Sequence, residues 1–447
     1  MRDTRHGRES MQATNWTKRF EDAVMNACGH PLTVMARGAG CFVWDEYGHQ
    51  YLDLAGGIGV NSLGHAHPNV VKALTAQAQT LGHVGNAVAS SVQIEAAEKL
   101  LSIVEPGGAA PESRVFFTNS GSESIETAFK IVRVYAEQAS HEHPNDPPRT
   151  RILALENGFH GCASMGALSL ASKKALREPF LPLPAAVEFI PYAMAALERA
   201  FEGERGRNIA ALFIEPIQGV GGVRVLSEHF LRLARDVTAE AGALLVFDEI
   251  QCGMGRTGTW MAHHLAGVTP DIVTLGGGLG AGFPVGACLA LNDTTATALA
   301  PGLHSSTFGG NPLAAASVLA TINTIEEEKL LTNVVEVNEI WTRELMGLHH
   351  PLISDVRGRG LMLGIGLKNP VAKPLAVELF REGFLVDAPD TFTLRLAPPL
   401  IISAPQTRMF TQSLPEIIDR VVQNIDHQIA QGQNATQNPY HPGASLE

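Results

Sequence analysis

The stretch ALLVFDE, Ala243 to Glu249, decides how the chain is read: an unbroken apolar run that ends in two adjacent carboxylates. With no polar alternation in its body, a strand here must be covered on both faces, as in a mostly parallel sheet flanked by helices. Runs of the same kind stand on either side of it: VFFTN (Val115–Asn119), ILALE (Ile152–Glu156), ALFIE (Ala211–Glu215) and DIVTL (Asp271–Leu275). Stretches of helical spacing separate them, so from about residue 65 the chain reads as α/β. Ahead of it, the pattern predicts a helix over Trp16–Ala27 and a meander of short strands over Val34–Leu54, punctuated by Gly40 and Gly48. Beyond about residue 330 the order is helix, strand (GRGLMLGIGL), strand (FTLRLAPPL) and a helix over Pro405–Gln431, a smaller α+β unit. The expected division is residues 1–64 packing with the small domain, 65–329 as the large domain, 330–432 as the small domain and 433–447 as a polar tail.

With 447 residues, 45% hydrophobic and 17% charged, the chain has the composition of a globular protein with a large core. A formal net charge of -12 without a basic block argues against nucleic acid or an anionic membrane as partner. No apolar run approaches the roughly 18 residues needed to span a bilayer. The basic start, MRDTRHGRES, lacks the apolar core of a secretory leader, and Met11 could be the initiator. The five cysteines are scattered and form no CxxC pair, which fits free thiols in a reducing cytoplasm better than disulfides or a zinc site. No metal is expected.

In open α/β sheets ligands bind beyond the carboxyl ends of the strands, so the residues just past each run are the candidate site. After Val115–Asn119 come Ser120, Gly121 and Ser122, opening a helix whose first N–H groups suit a phosphate. After Ile152–Glu156 come Gly158, Phe159, His160 and Gly161, where an aromatic between glycines can stack on a planar ligand. Asp248 and Glu249, with Gln251 just beyond, end an apolar strand, where a carboxylate is costly unless paired. A buried carboxylate there is a natural partner for a protonated ring nitrogen. DIVTL runs into a segment with six glycines between Gly276 and Gly286. That segment superficially matches a dinucleotide fingerprint, but FPVGACLA (Phe283–Ala290) reads as a strand, where the fingerprint requires a helix. A second polar, glycine-rich loop, His304 to Pro312, contains Thr307 and opens a helix over Leu313–Glu328.

Taken in order, FFTNSGSES, GFHG, ALFIEPIQG, LLVFDEIQCGMGRTG, PDIVTLGGGLGAGFPVGA, HSSTFGGNPL, VRGRGLMLGI and LRLAPPL closely resemble the class III aminotransferases, from about residue 16 to residue 430. The acetylornithine/ornithine-type enzymes are the nearest match. The resemblance implies a fold type I homodimer whose large domain has a mainly parallel seven-stranded sheet. It implies pyridoxal 5'-phosphate, or its pyridoxamine form, as cofactor and a small amino acid or amine as substrate. By motif, Ser120, Gly121 and Ser122 would hold the cofactor phosphate, with Thr307 reaching it from the neighbouring subunit. Phe159 would stack on the ring and His160 lie beside it, Asp248 would pair with the ring nitrogen, and Gln251 would lie near the ring hydroxyl. Glu215 would stand in a substrate gate beside the carboxylate-binding Arg395.

Two departures qualify the resemblance. Relatives carry the Schiff-base lysine two residues after the DIVTL strand, where this chain has Gly277, and no other lysine lies between residues 175 and 328. Lys173 and Lys174 read as a solvated surface pair. Acylornithine-type relatives also have an arginine after FHG, where this chain has Cys162, and Ile125 and Val220 replace residues that are often polar. The cofactor is therefore expected to be held without a covalent link, by an enzyme of altered chemistry or a non-catalytic homologue.

Overall fold

The structure, a computed structural model, describes residues 15–142 and 144–430. The expected tail at 433–447 and the basic first ten residues lie outside the described residues. Seven strands form the main sheet, in the spatial order Arg114–Thr118, Gly286–Ala290, Ile272–Leu275, Leu244–Asp248, Ile209–Ile214, Arg151–Leu155 and Val187–Ile190. Every pairing is parallel except the two made by Gly286–Ala290, which runs antiparallel to both neighbours. Leu244–Asp248 lies in the middle, and its residues are all buried, as are those of Ile209–Ile214 and Ile272–Leu275. The continuous apolar runs thus mean what their lack of alternation implied: both faces are covered.

The segment after Ile272–Leu275 is a single 3-10 turn, Gly277–Gly280, followed by the strand Gly286–Ala290. The dinucleotide fingerprint requires a long helix at this point, so that reading is set aside. Val187–Ile190 was not expected from sequence, because it is a sheet edge whose polar Glu188 pairs with Arg151 and Arg205.

The meander expected near the N-terminus is present as Met35–Ala39, Phe42–Asp45 and Gln50–Asp53, and the last of these pairs in parallel with Phe384–Leu385. The first helix is shorter than expected, Trp16–Ala23. A three-stranded sheet, Ile353–Arg359, Met362–Leu367 and Thr393–Leu396, forms the C-terminal unit. Here GRGLMLGIGL spans a hairpin: Gly358 and Arg359 end the strand Ile353–Arg359, which gives no clear sequence signal because it is polar and only partly buried, and Gly360–Leu361 turn into Met362–Leu367. A helix at Ala372–Arg381 was also missed. One apolar cluster joins both chain ends, bringing Leu52, Leu54 and Leu63 together with Trp341, Leu375 and Phe410.

Trp341 sits in that cluster fully buried, with its indole N–H donated to Thr411 Oγ1 at 3.1 Å and its ring edge-on to Phe410. Trp341→Ala removes the packing and leaves the hydroxyl without its donor. We expect a loss of about 3–5 kcal/mol, read as a lower urea midpoint.

Candidate active site

Asp248 is the last residue of the central strand and is 4% exposed. One carboxylate oxygen lies 2.7 Å from His160 Nδ1, while the other accepts the Ile250 N–H at 3.0 Å and the Thr274 hydroxyl at 3.4 Å. His160 is itself buried, against Phe213. Burial disfavours a charge on its ring, but the hydrogen bond and the charge of Asp248 outweigh that and raise its pKa. The pair gives the strand end a fixed negative group whose orientation is set from three directions.

Around Asp248 the backbone approaches itself closely. A Cβ on Gly276 would lie 2.9 Å from Gly121 Cα, one on Gly121 would lie 2.8 Å from Ile250 Cγ2, and one on Gly161 would lie 2.5 Å from Ser122 Oγ. Gly161 also has φ +117°, which disfavours any side chain. These contacts bring the starts of the loops after four strands to one place: Ser120–Ser122, Phe159–Gly161, Asp248–Ile250 and Gly276. Gly121 opens a helix that runs to Glu142. Ser120 caps the Glu123 N–H with its hydroxyl (3.2 Å) and the Ser124 N–H with its carbonyl (3.1 Å), which leaves the N–H groups of Gly121 and Ser122 for an anion. Paired N–H donors on a small-residue turn and a buried carboxylate nearby match a phosphorylated pyridine whose ring nitrogen carries a proton. The residues present fit pyridoxal phosphate.

The rest of the expected set is arranged differently. Glu215 is buried, accepts the Phe159 N–H at 2.8 Å and faces the His160–Asp248 pair. Arg395 makes its contacts elsewhere: Gln251 Oε1 accepts from it at 2.9 Å, and Asp387 pairs with it at 2.5 Å. The expected Glu215–Arg395 gate is therefore not formed. Each partner is already engaged, Glu215 by a backbone N–H and Arg395 by a carboxylate. Gln251, expected near the ring hydroxyl, is in contact with Arg395, and its Oε1 would be 2.1 Å from a Cβ on Gly219. Asp387, the ion-pair partner of Arg395, was not anticipated, because nothing in its own sequence neighbourhood marks it. Phe159 is half-buried, and Cys162 and Thr307 are exposed. Ser306, next to Thr307, is held by Asn119 and Asn86. Ile125 is fully buried in the core.

Gly277 is half-buried with φ +41°, and a Cβ there would meet only the Ile250 carbonyl oxygen at 3.2 Å and Val60 Cγ2 at 3.7 Å. A Cβ here would be tight against the Ile250 backbone carbonyl and would hold a left-handed backbone, but no atom lies closer than 3.2 Å. Lys173 and Lys174 are exposed, and Lys130 is turned to the Leu303 carbonyl.

Residues 24–418 match the family model described as Aminotransferase class-III. The chain is 44% identical over 406 residues to the acetylornithine aminotransferase of Mycobacterium tuberculosis, covering 91% of this chain and 96% of that one. It is 42% identical over 409 residues to the acetylornithine aminotransferase of Streptomyces coelicolor, covering 91% and 96%. Among solved structures it is similar to the ornithine aminotransferase of Toxoplasma gondii ME49 (TM-score 0.81, 31% identity, 92% of this chain and 95% of that one). It is also similar to the acetylornithine aminotransferase of Elizabethkingia anophelis (TM-score 0.76, 32% identity, 91% and 98%). The chain thus belongs to the class III aminotransferases, and its fold is that of the fold type I pyridoxal-phosphate transferases. Pyridoxal phosphate is the family's cofactor.

Burial first, and then the charge of Asp248, push the Glu215 carboxyl up to about 7, against the lowering effect of His160 and two backbone N–H groups. A folded-state pKa above the unfolded one means stability that is full at low pH and is lost as pH rises through the folded value. Glu215→Gln keeps the acceptor for Phe159 and cannot ionise. We expect its Tm to fall less than that of the parent between about pH 5 and about pH 8; parallel curves would show that Glu215 does not titrate in this range.

Proposed function

We propose that this chain binds pyridoxal or pyridoxamine phosphate non-covalently, as a homodimer, and that it does not sustain transamination at the rate of its relatives. The observation that carries this reading is glycine at 277, the position to which the motif resemblance assigns the family lysine, with no lysine between residues 175 and 328. When bound, the cofactor supplies an electron-accepting ring that can stabilise charge at a substrate carbon. The N–H groups of Gly121 and Ser122 bind its phosphate, with Thr307 contributed from the second subunit. Phe159 covers the ring, Asp248 holds the proton on the ring nitrogen, and His160 orients Asp248. Arg395, held by Gln251 and Asp387, orients a substrate carboxylate.

No residue of the site replaces the missing amine. The group that moves a proton at substrate carbon is a positioned base, and losing such a group costs about 10²–10⁴-fold in rate. Cys162 in place of arginine removes a bidentate carboxylate contact as well. The substrate class remains a small amino acid or amine, as the names of the relatives suggest. The division into a large unit over 65–329 and a small one over 330–432, which takes up the N-terminal segment, belongs to the same reading. A second reading, a lysine-independent enzyme of different outcome, is favoured by the intact cradle around Gly121 and Asp248.

Borohydride reduction followed by intact-mass measurement should add no pyridoxyl group, and gel filtration should strip the cofactor. A stable adduct on any lysine contradicts the proposal. Gly277→Lys, which needs only a small shift of the Ile250 carbonyl, should gain the adduct. If the rest of the site is inherited unchanged, this variant should also raise turnover of acetylornithine with 2-oxoglutarate by about 10²-fold or more. An adduct without turnover would instead indicate a pocket remodelled at Cys162.

A further inference from the structure

The carboxylate next to Asp248 points into a different cluster. Glu249 is 1% exposed and receives the N–H groups of Ala262 (2.5 Å) and His263 (2.9 Å) together with His263 Nδ1 at 2.6 Å. Since a carboxylate accepts, the Nδ1 hydrogen belongs to His263, and its other nitrogen, Nε2, stands 3.1 Å from Glu105 Oε1. Glu105 follows the helix Ser91–Val104, and its second oxygen accepts the Thr269 hydroxyl at 3.1 Å. His264, edge-on to His263 with ring centroids 4.8 Å apart, places its Nε2 2.8 Å from the Val104 carbonyl. A carbonyl can only accept, so that nitrogen carries the hydrogen, and a neutral ring then has its lone pair on Nδ1. The potential ligand atoms of Glu105, His263 and His264 lie within 4.8 Å of one another.

From this geometry we propose that Glu105, His263 and His264 bind a divalent transition-metal ion, zinc or a similar borderline cation, with water completing the coordination. Two imidazoles and one carboxylate with an open position form a recognised zinc donor set. Metal-binding histidines characteristically donate their remote N–H to a carboxylate or carbonyl, which fixes tautomer and ring orientation. Here both histidines are oriented in this way, His263 by Glu249 and His264 by the Val104 carbonyl, while Glu105 is held by accepting the Thr269 hydroxyl. A metal would tie the C-terminus of the Ser91–Val104 helix to the turn Ala262–Leu265. Glu249, which holds the candidate ligand His263 through Nδ1, is the residue that follows Asp248 in the chain. Sequence reading expected no metal, and the reason is distance: Glu105 and His263 are 158 residues apart. A proton bridging His263 and Glu105 satisfies the same two atoms, so the alternative is a metal-free ion pair.

The test is metal binding to the purified protein, with whatever cofactor it carries, after treatment with chelator. Titration with zinc chloride against a chromophoric chelator should give one site per chain and a raised Tm, with no response to magnesium. His264→Ala and Glu105→Gln should each weaken zinc binding by at least about 10-fold, with circular dichroism and metal-free Tm confirming that they fold. Should either variant fail to fold, the cobalt spectrum of the parent decides. Nitrogen and oxygen ligation gives weak visible bands alone, whereas Cys28 or Cys162 as ligands would add an intense sulfur-to-cobalt charge-transfer band. No zinc binding, binding unchanged in both folded variants, or that sulfur band would overturn the proposal in favour of the proton-bridged pair.

Discussion

The contact between Asp248 and His160 is the constraint on which the candidate site depends. An anion at the mouth of a wholly buried strand is tolerated only where donors surround it. Here the donors come from three separate segments: a ring nitrogen of His160, the Ile250 N–H and, from the neighbouring strand Ile272–Leu275, the Thr274 hydroxyl. That arrangement fixes the charge in place before any ligand arrives. The cramped glycines Gly121, Gly161 and Gly276 then bring the helix N-terminus of Gly121–Glu142 to the same spot, because no side chain separates the loops. The carboxylate and the start of that helix are thereby brought close together.

The two carboxylates of the DE pair show how strand geometry divides labour. Successive side chains of a strand face opposite ways. Asp248 turns to the loops that carry Gly121 and His160, while Glu249 turns to Ala262 and His263. The first faces the candidate site, and the second binds the N–H groups of Ala262 and His263 and the ring of His263.

Much of this was legible in the sequence, for reasons of locality. The central strands announce themselves by unbroken apolar runs, and Ser120–Ser122, Phe159, His160 and Asp248 stand at or just beyond the ends of those runs. The features that escaped sequence reading are either polar and peripheral or paired across long separations. Val187–Ile190 and Ile353–Arg359 are edge strands without a clear apolar rhythm. The Gln251–Arg395 contact spans 144 residues, and the partnership of Arg395 with Asp387 depends on how two short C-terminal strands settle beside each other. The Glu215–Arg395 gate was expected from motif alone; in the structure Glu215 accepts the Phe159 N–H, and Arg395 pairs with Asp387 and Gln251.

The central claim is that this pocket recognises the ring and phosphate of the cofactor without forming a covalent bond. It is tested most directly by comparing, in equilibrium dialysis, pyridoxal 5'-phosphate with 4'-deoxypyridoxine 5'-phosphate, which keeps the ring nitrogen and the phosphate but lacks the aldehyde. The account predicts that both bind and that their Kd values agree to within about threefold, a difference of less than 1 kcal/mol. A preference of tenfold or more for the aldehyde, or binding of neither compound, would contradict it.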